Sequence, residues 1–277
     1  MQTFVTRNEM NNWSRQQQAE GRSIGFVPTM GALHYGHLTL VQQACAENDV
    51  VVVSIFVNPK QFNNPSDLAA YPRTLEQDLE KLHAFKNVHV FAPSVDEMYP
   101  ENFILEPMPL GTLGEVMEAK FRPGHFEGVV QVVHQLFKIV LPQRAYFGKK
   151  DFQQLAVIQK LTRFYQFPIQ IIPCETCREN DGLAMSSRNL RLTEAQKKAS
   201  LILIAVLNEL KNAAHKRPLN DVLHEAKQKV ASSELRLEYL EIADPETLIS
   251  LNEWQAEQVC CIAAYCGEVR LIDNMLC

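Results

Sequence analysis

Five apolar runs punctuate the first two-thirds of the chain, at residues 24–27, 50–57, 88–92, 169–172 and, more briefly, 145–147. They are continuous rather than alternating, the pattern of strands buried on both faces of a parallel sheet. Stretches of helical period separate them, at 36–47, 75–85, 127–140 and 152–164. This alternation predicts an α/β fold with a doubly wound, Rossmann-like parallel sheet, which binds its ligands outside the carboxyl ends of the strands.

The pattern changes after Asn189. One long helix is predicted over 194–215, with Thr193 as its N-cap, and another over 220–232. Alternating segments at 236–243 and 259–265, and a short one at 269–272, read as strands with one buried face. The expected division is a Rossmann-like domain over 1–178 and a smaller C-terminal α+β domain over 179–277, the second closing on the ligand as a lid.

Composition narrows the classes. Hydrophobic residues make up 46% and charged residues 21%, an ordinary globular mix that excludes disorder. The 27 Lys and Arg against 32 Asp and Glu leave a net charge of −5, so no broad basic surface for nucleic acid is expected. No apolar run reaches the ~18 residues of a membrane span. The start lacks the basic and apolar regions of a secretory signal, and an odd number of cysteines, seven, fits reduced thiols in the cytoplasm. Cys174 and Cys177 form a C-x-x-C without a second pair nearby, so they are expected to be ordinary thiols rather than a zinc or redox site.

The chemistry gathers in two places. The first apolar run leads into Pro28-Thr29-Met30-Gly31-Ala32-Leu33-His34-Tyr35-Gly36-His37, and its H-x-G-H core places two imidazoles at a helix start. Backbone N–H groups left free there would suit phosphate. Far downstream stands Asp181-Gly182-Leu183-Ala184-Met185-Ser186-Ser187-Arg188-Asn189, where hydroxyls and a guanidinium could hold a polyphosphate. Neither G-x-G-x-x-G nor G-x-x-x-x-G-K-[ST] occurs, which removes the common dinucleotide and P-loop readings. From the residues alone, a nucleotidyltransferase and a nucleotide-binding regulator both stay open.

The pairing of H-x-G-H with Met-Ser-Ser-Arg resembles the HIGH-type nucleotidyltransferase superfamily. Closer still, residues 28–37, Val53-Ser54-Ile55-Phe56-Val57-Asn58-Pro59-Lys60-Gln61-Phe62 and Tyr71-Pro72-Arg73-Thr74 resemble the pantoate–β-alanine ligase family. So do Arg122-Pro123-Gly124-His125-Phe126, Gly148-Lys149-Lys150-Asp151-Phe152-Gln153-Gln154, the Ser186–Asn189 loop and Arg270-Leu271-Ile272-Asp273-Asn274. The resemblance covers nearly the whole chain.

It implies ATP-dependent condensation of pantoate with β-alanine through a pantoyl adenylate, with pyrophosphate and AMP released. It also implies that Met30, Gly31, Ala32, Leu33, His34, Tyr35, Gly36 and His37 bind ATP, completed by Gly148, Lys149, Lys150, Asp151, the backbone at Cys177, and Met185, Ser186, Ser187 and Arg188. His37, His34 and Lys150 would be catalytic, with His37 as proton donor. Gln61 and Gln154 would hold pantoate, and Gln61 would also meet β-alanine. Mg²⁺ would accompany ATP, its ligands unassigned apart from Asp78 as a candidate. A homodimer is implied as well, with the valines at 50–53 and the helix around His134 as candidate interfaces. Two positions depart from the family pattern: Lys149, where an acidic or amide residue is usual, and Lys60, where an apolar one is frequent.

Overall fold

The valine run at 50–53 lies inside a six-stranded parallel sheet, in a computed structural model that describes residues 1–63 and 65–277. The elements in chain order begin with β1 (Thr3–Phe4), α1 (Arg7–Ala19), β2 (Ile24–Thr29), α2 (Tyr35–Glu47) and β3 (Val50–Ile55). Next come α3 (Pro65–Ala70), α4 (Leu75–Leu82), β4 (Val88–Phe91), α5 (Val95–Met98), α6 (Met117–Phe121) and α7 (His125–Val140). Then follow β5 (Arg144–Gly148), α8 (Phe152–Phe164), β6 (Gln170–Cys174), α9 (Glu194–Ser200), α10 (Ile202–Ala213) and α11 (Leu219–Ala231). The chain closes with β7 (Arg236–Ala243), β8 (Val259–Cys266) and β9 (Val269–Leu276). No described helix is long and apolar enough to cross a membrane.

Two units form. The first comprises Met1–Leu110, Phe121–Gly148 and Val157–Cys174; the second comprises Gly111–Lys120, Lys149–Ala156 and Glu175–Cys277.

The first unit is built on the sheet β1-β4-β3-β2-β5-β6, every pair parallel. Its strands alternate which face each residue serves. Val27, Val51, Val53, Val88, Val90 and Tyr146 pack with Val41 and Ala44 of α2 and Leu82 of α4. On the other face, Phe137 of α7 meets Phe26 and Phe147 edge-on at 6.3 and 6.5 Å, and His89 lies against Trp13 of α1 at 4.6 Å with the rings tilted by 47°. Helices on both faces explain the continuous apolar runs. Each fully buried valine contributes roughly 1.5–3 kcal/mol. The chain leaves β2 toward β3 on one side and later returns to β5 on the other, so the order reverses at β2, the switch point where such sheets hold ligands.

The second unit is α+β. Strands β7-β8-β9 form an antiparallel sheet whose Leu240, Ile242, Cys260, Ile262, Ala264 and Leu271 pack under Leu203, Val206 and Leu207 of α10 and Val222, Ala226 and Val230 of α11.

Several expectations need correcting. The single helix at 194–215 is two helices that join at Leu201. The Ser200 hydroxyl donates to the Gln196 carbonyl and Leu201 N–H reaches Lys198, a tightened turn that ends α9. Thr193 does cap α9, in a reciprocal box with Gln196. The strand expected at 269–272 continues to Leu276. Residues 50–53 cannot serve as a dimer interface, because their own chain buries them on both faces of β3.

Candidate active site

The carboxyl end of β2 makes an unusual turn before α2. Gly31 and Ala32 both have left-handed backbones, φ +80° and +51°. A Cβ on Gly31 would lie 3.0 Å from Ile55 Cγ2 and 3.1 Å from Asp78 Oδ2, so only glycine combines that φ with that space. Ala32 pays a strain that its surroundings must hold in place. What holds it is Asp78, fully buried on α4: its carboxylate accepts from Ala32 N–H at 2.8 Å, Leu33 N–H at 2.7 Å and Thr74 Oγ1 at 3.2 Å. One turn further along α4, Lys81 donates to the Leu33 carbonyl at 2.7 Å. Asp78 is thus committed to the loop's backbone rather than standing ready as a metal ligand.

The helix start is closed by its own histidines. His34 is the N-cap of α2, its Nδ1 accepting from Gly36 N–H at 3.1 Å, while His37 Nδ1 accepts from His34 N–H at 3.2 Å. The rings lie 4.0 Å apart between centroids. Of the backbone N–H groups expected to stand free, those of Gly31, Ala32, Leu33, His34 and Gly36 are taken by side chains. The arrangement offers imidazole instead. With Nδ1 as acceptor, each neutral ring carries its proton on Nε2, the position that can donate to an anion. Tyr35, between them, is 63% exposed.

Gln61 is placed by a second buried network in the same unit. It ends the 3₁₀ turn Pro59–Gln61, which α7 overlies so closely that a Cβ on Gly128 would fall 2.3 Å from the Lys60 carbonyl. Asn58 Nδ2 donates to Gln61 Oε1 and to the Gly128 carbonyl, both at 3.1 Å, and Tyr99 donates to Asn58 Oδ1 at 2.8 Å. His125 Nδ1 lies 2.9 Å from the Gln61 carbonyl. Gln61 Nε2 reaches Met30 Sδ at 3.1 Å, which joins the turn to the H-x-G-H loop. Lys60 turns to Gln131 at 2.9 Å and lies over the Tyr99 ring at 4.0 Å, so this departure has a structural berth.

The second unit carries the other candidates. Asn274 on β9 donates to the carbonyls of Lys149 and Lys150 at 2.9 and 2.8 Å, pinning the turn Lys149–Asp151. Lys149 pairs with Glu175, whereas Lys150 Nζ has no partner among the described residues. The neighbouring Asp273 grips Arg178 with both oxygens, at 2.7 and 3.0 Å, and Arg178 also donates to Gly182. That fixes a hairpin in which Met185 N–H donates to the Cys177 carbonyl at 2.9 Å. Asn189 braces it through Glu179 and the Ala184 carbonyl. Ser186 then caps the 3₁₀ turn Ser187–Arg191 by accepting from Arg188 N–H.

Gln153 is buried in structure: it accepts from Glu118 N–H and donates to the Leu113 and Val116 carbonyls. The side chain of Gln154, half-buried beside it, makes no hydrogen bond among the described residues. The end motif of the chain is therefore a scaffold for two loops.

The model of the Pantoate-beta-alanine ligase family matches residues 2–276. The chain belongs to the pantoate–β-alanine ligase family. The pantothenate synthetase of Phocaeicola vulgatus is 47% identical over 99% of each chain. Among solved structures, the ligase of Thermus thermophilus superposes with a TM-score of 0.92 at 42% identity, covering 99% of each chain. That of Francisella tularensis, complexed with beta-gamma ATP and β-alanine, has a TM-score of 0.79 at 37% identity, covering 100% of this chain and 97% of its own.

As a member of the pantoate–β-alanine ligase family the chain is an enzyme. Its geometry joins Met30, His34, His37 and Gln61 in the first unit, and ties Lys149 and Lys150 to β9 in the second. Sequence reading missed the loop-holding role of Asp78, the Asn58–Tyr99 brace and the anchoring by Asn274. Asn58 and Asn274 stood inside quoted motifs, but the partner that explains Asp78 lies 45 positions away and leaves no local signal.

Proposed function

We propose that the chain condenses pantoate with β-alanine using ATP, through an enzyme-bound pantoyl adenylate, and releases pyrophosphate and then AMP. The observation that carries this is the reciprocal cap of His34 and His37, which fixes both rings with Nε2–H as donor at the switch point of the sheet.

Pantoate's carboxylate is ionised at neutral pH and needs no base to attack the α-phosphorus. As the bond to pyrophosphate breaks, charge grows on the departing oxygens. His34, His37, Lys150, Ser186, Ser187 and Arg188 would donate to them, with His37 supplying the proton. The backbone of residues 30–37, Gly148–Asp151, Cys177 and Met185 would shape the nucleotide site. Gln61 and Gln154 suit pantoate because neutral amides serve its hydroxyls and carboxylate without an ion pair that would blunt the nucleophile. The free amine of β-alanine then attacks the acyl carbon, the amide bond forms, and AMP leaves with the electrons of the anhydride bond.

Among the described residues no group of three or more His, Cys, Asp and Glu side chains could hold a metal ion. That fits Mg²⁺ arriving on the nucleotide, held by phosphates and water, as this ion commonly is. Bound so, it would neutralise phosphate charge. A homodimer belongs to the proposal on the strength of the family resemblance.

The test is AMP and pantothenate formation by the purified protein with Mg-ATP and pantoate, with and without β-alanine. Both products should require both acids. ATP binding without turnover would favour the regulator instead.

A further inference from the structure

No cysteine side chain takes part in the proposed chemistry, and two of the seven cysteines touch. Cys260 near the start of β8 and Cys277 just past β9 have their sulfurs 2.8 Å apart. Register explains why. Cys260 pairs with Met275, so Cys277 is its diagonal neighbour two residues on, and both side chains belong to the helix-facing side of the small sheet. Cys277 N–H donates to the Gln258 carbonyl, and Gln258 Nε2 donates to the Cys277 carbonyl at 2.9 Å, so its backbone is held on both sides. Cys260 is buried, whereas Cys277 is half-exposed.

We propose that Cys260 and Cys277 form a reversible disulfide, a modification site in which Cys277 meets the oxidant and Cys260 resolves it. The oxidant is hydrogen peroxide. The Cys277 thiolate attacks one peroxide oxygen, the O–O bond breaks, and a sulfenic acid forms as hydroxide leaves. The Cys260 sulfur then attacks the Cys277 sulfur, the S–O bond breaks, and the departing hydroxide takes the Cys260 proton as water. Two thiols lose two electrons to the peroxide, and one S–S bond forms.

The environment divides these roles. The hydrogen bond shared between the two sulfurs pulls the Cys277 thiol below its usual range against the effect of burial, with Lys211 assisting. The same contact and burial push Cys260 up, which keeps it a thiol until its partner is oxidised. Cys45 and Cys261 differ: burial raises Cys45, to about 11, and also Cys261. The consequence reaches the nucleotide loops, because β9 carries both Asp273 and Asn274.

The experiment treats the full chain with a few equivalents of hydrogen peroxide, blocks remaining thiols with iodoacetamide, and maps peptides by mass spectrometry without reduction. A linked pair containing Cys260 and Cys277, two hydrogens lighter and restored by dithiothreitol, is expected. The oxidised protein should melt several degrees higher, because the bond closes a loop in the unfolded chain. Cys261→Ser should keep the link, and Cys260→Ser should abolish it and leave Cys277 open to further oxidation. Recovery of alkylated Cys260 beside an over-oxidised Cys277 in the unsubstituted chain would overturn the proposal, as would linkage of either cysteine to Cys261 or Cys266.

Discussion

His37 accepts the backbone N–H of His34 through Nδ1 at 3.2 Å, so the side chain proposed as proton donor also closes the start of α2. Its two jobs can be separated. In His37→Asn the amide oxygen can still cap the helix, but the Nε2–H donor is gone. We expect kcat to fall about 10²–10³-fold with the thermal midpoint nearly unchanged. His37→Ala should lose the activity and in addition about 1 kcal/mol of stability. Calorimetry beside steady-state kinetics reads both, and an active His37→Asn would exclude the imidazole as donor.

Asp78 makes a different prediction, because its buried carboxylate holds the backbone of the loop as well as Thr74 of its own helix start. Asp78→Asn keeps one acceptor but turns an NH₂ toward the second backbone N–H, leaving donors face to face at a buried position. A loss of about 1–3 kcal/mol is expected, along with a raised KM for ATP as the left-handed backbone at Gly31 and Ala32 relaxes. Urea unfolding and ATP saturation curves would measure the two effects. An unchanged KM would detach the loop geometry from nucleotide binding.

Much of this was legible beforehand, for a physical reason. The valine run of β3 and its counterparts are buried on both faces, so their hydrophobicity alone marks them as parallel strands. The helix α1 was not foreseen, because Arg7–Ala19 is polar nearly all round; its signal was the Thr6–Glu9 capping box. The break at Leu201 depends on one serine bonding backward. The H-x-G-H motif marked the place of the site but not its wiring, since Asp78, Tyr99 and Asn274 reach their partners from remote segments.

Gly128 offers a steric test of how Gln61 is positioned. In Gly128→Ala the new methyl carbon would fall 2.3 Å from the Lys60 carbonyl, so α7 or the Pro59–Gln61 turn must move. About 1–3 kcal/mol of destabilisation is expected, and the KM for pantoate should rise more than that for ATP. Gly148→Ala, with nothing within 4 Å of the added carbon, should leave stability nearly untouched.

Acid sensitivity should trace to His134. Its ring is packed edge-on by Tyr165 and Phe167, Nδ1 has no partner among the described residues, and burial, helped by Lys138, pushes it down to about 4. The unfolded chain, with its histidine near 6.5, binds the proton first. Stability is therefore full above pH 6.5 and declines as pH falls toward 4, by roughly 3 kcal/mol for this group. His89, lowered mainly by burial, adds to the same direction. His134→Phe should flatten the decline measured by denaturation between pH 7 and 4.5, and an unchanged slope would assign it to other groups.

The adenylate is the centre of the account, and isotope exchange isolates it. The protein would be incubated with Mg-ATP, labelled pyrophosphate and pantoate, without β-alanine. Label should enter ATP only when pantoate is present, and Gln61→Ala should suppress that exchange. Exchange that appears only once β-alanine is added, while pantothenate still forms, would mean that no pantoyl adenylate stands between the two acids.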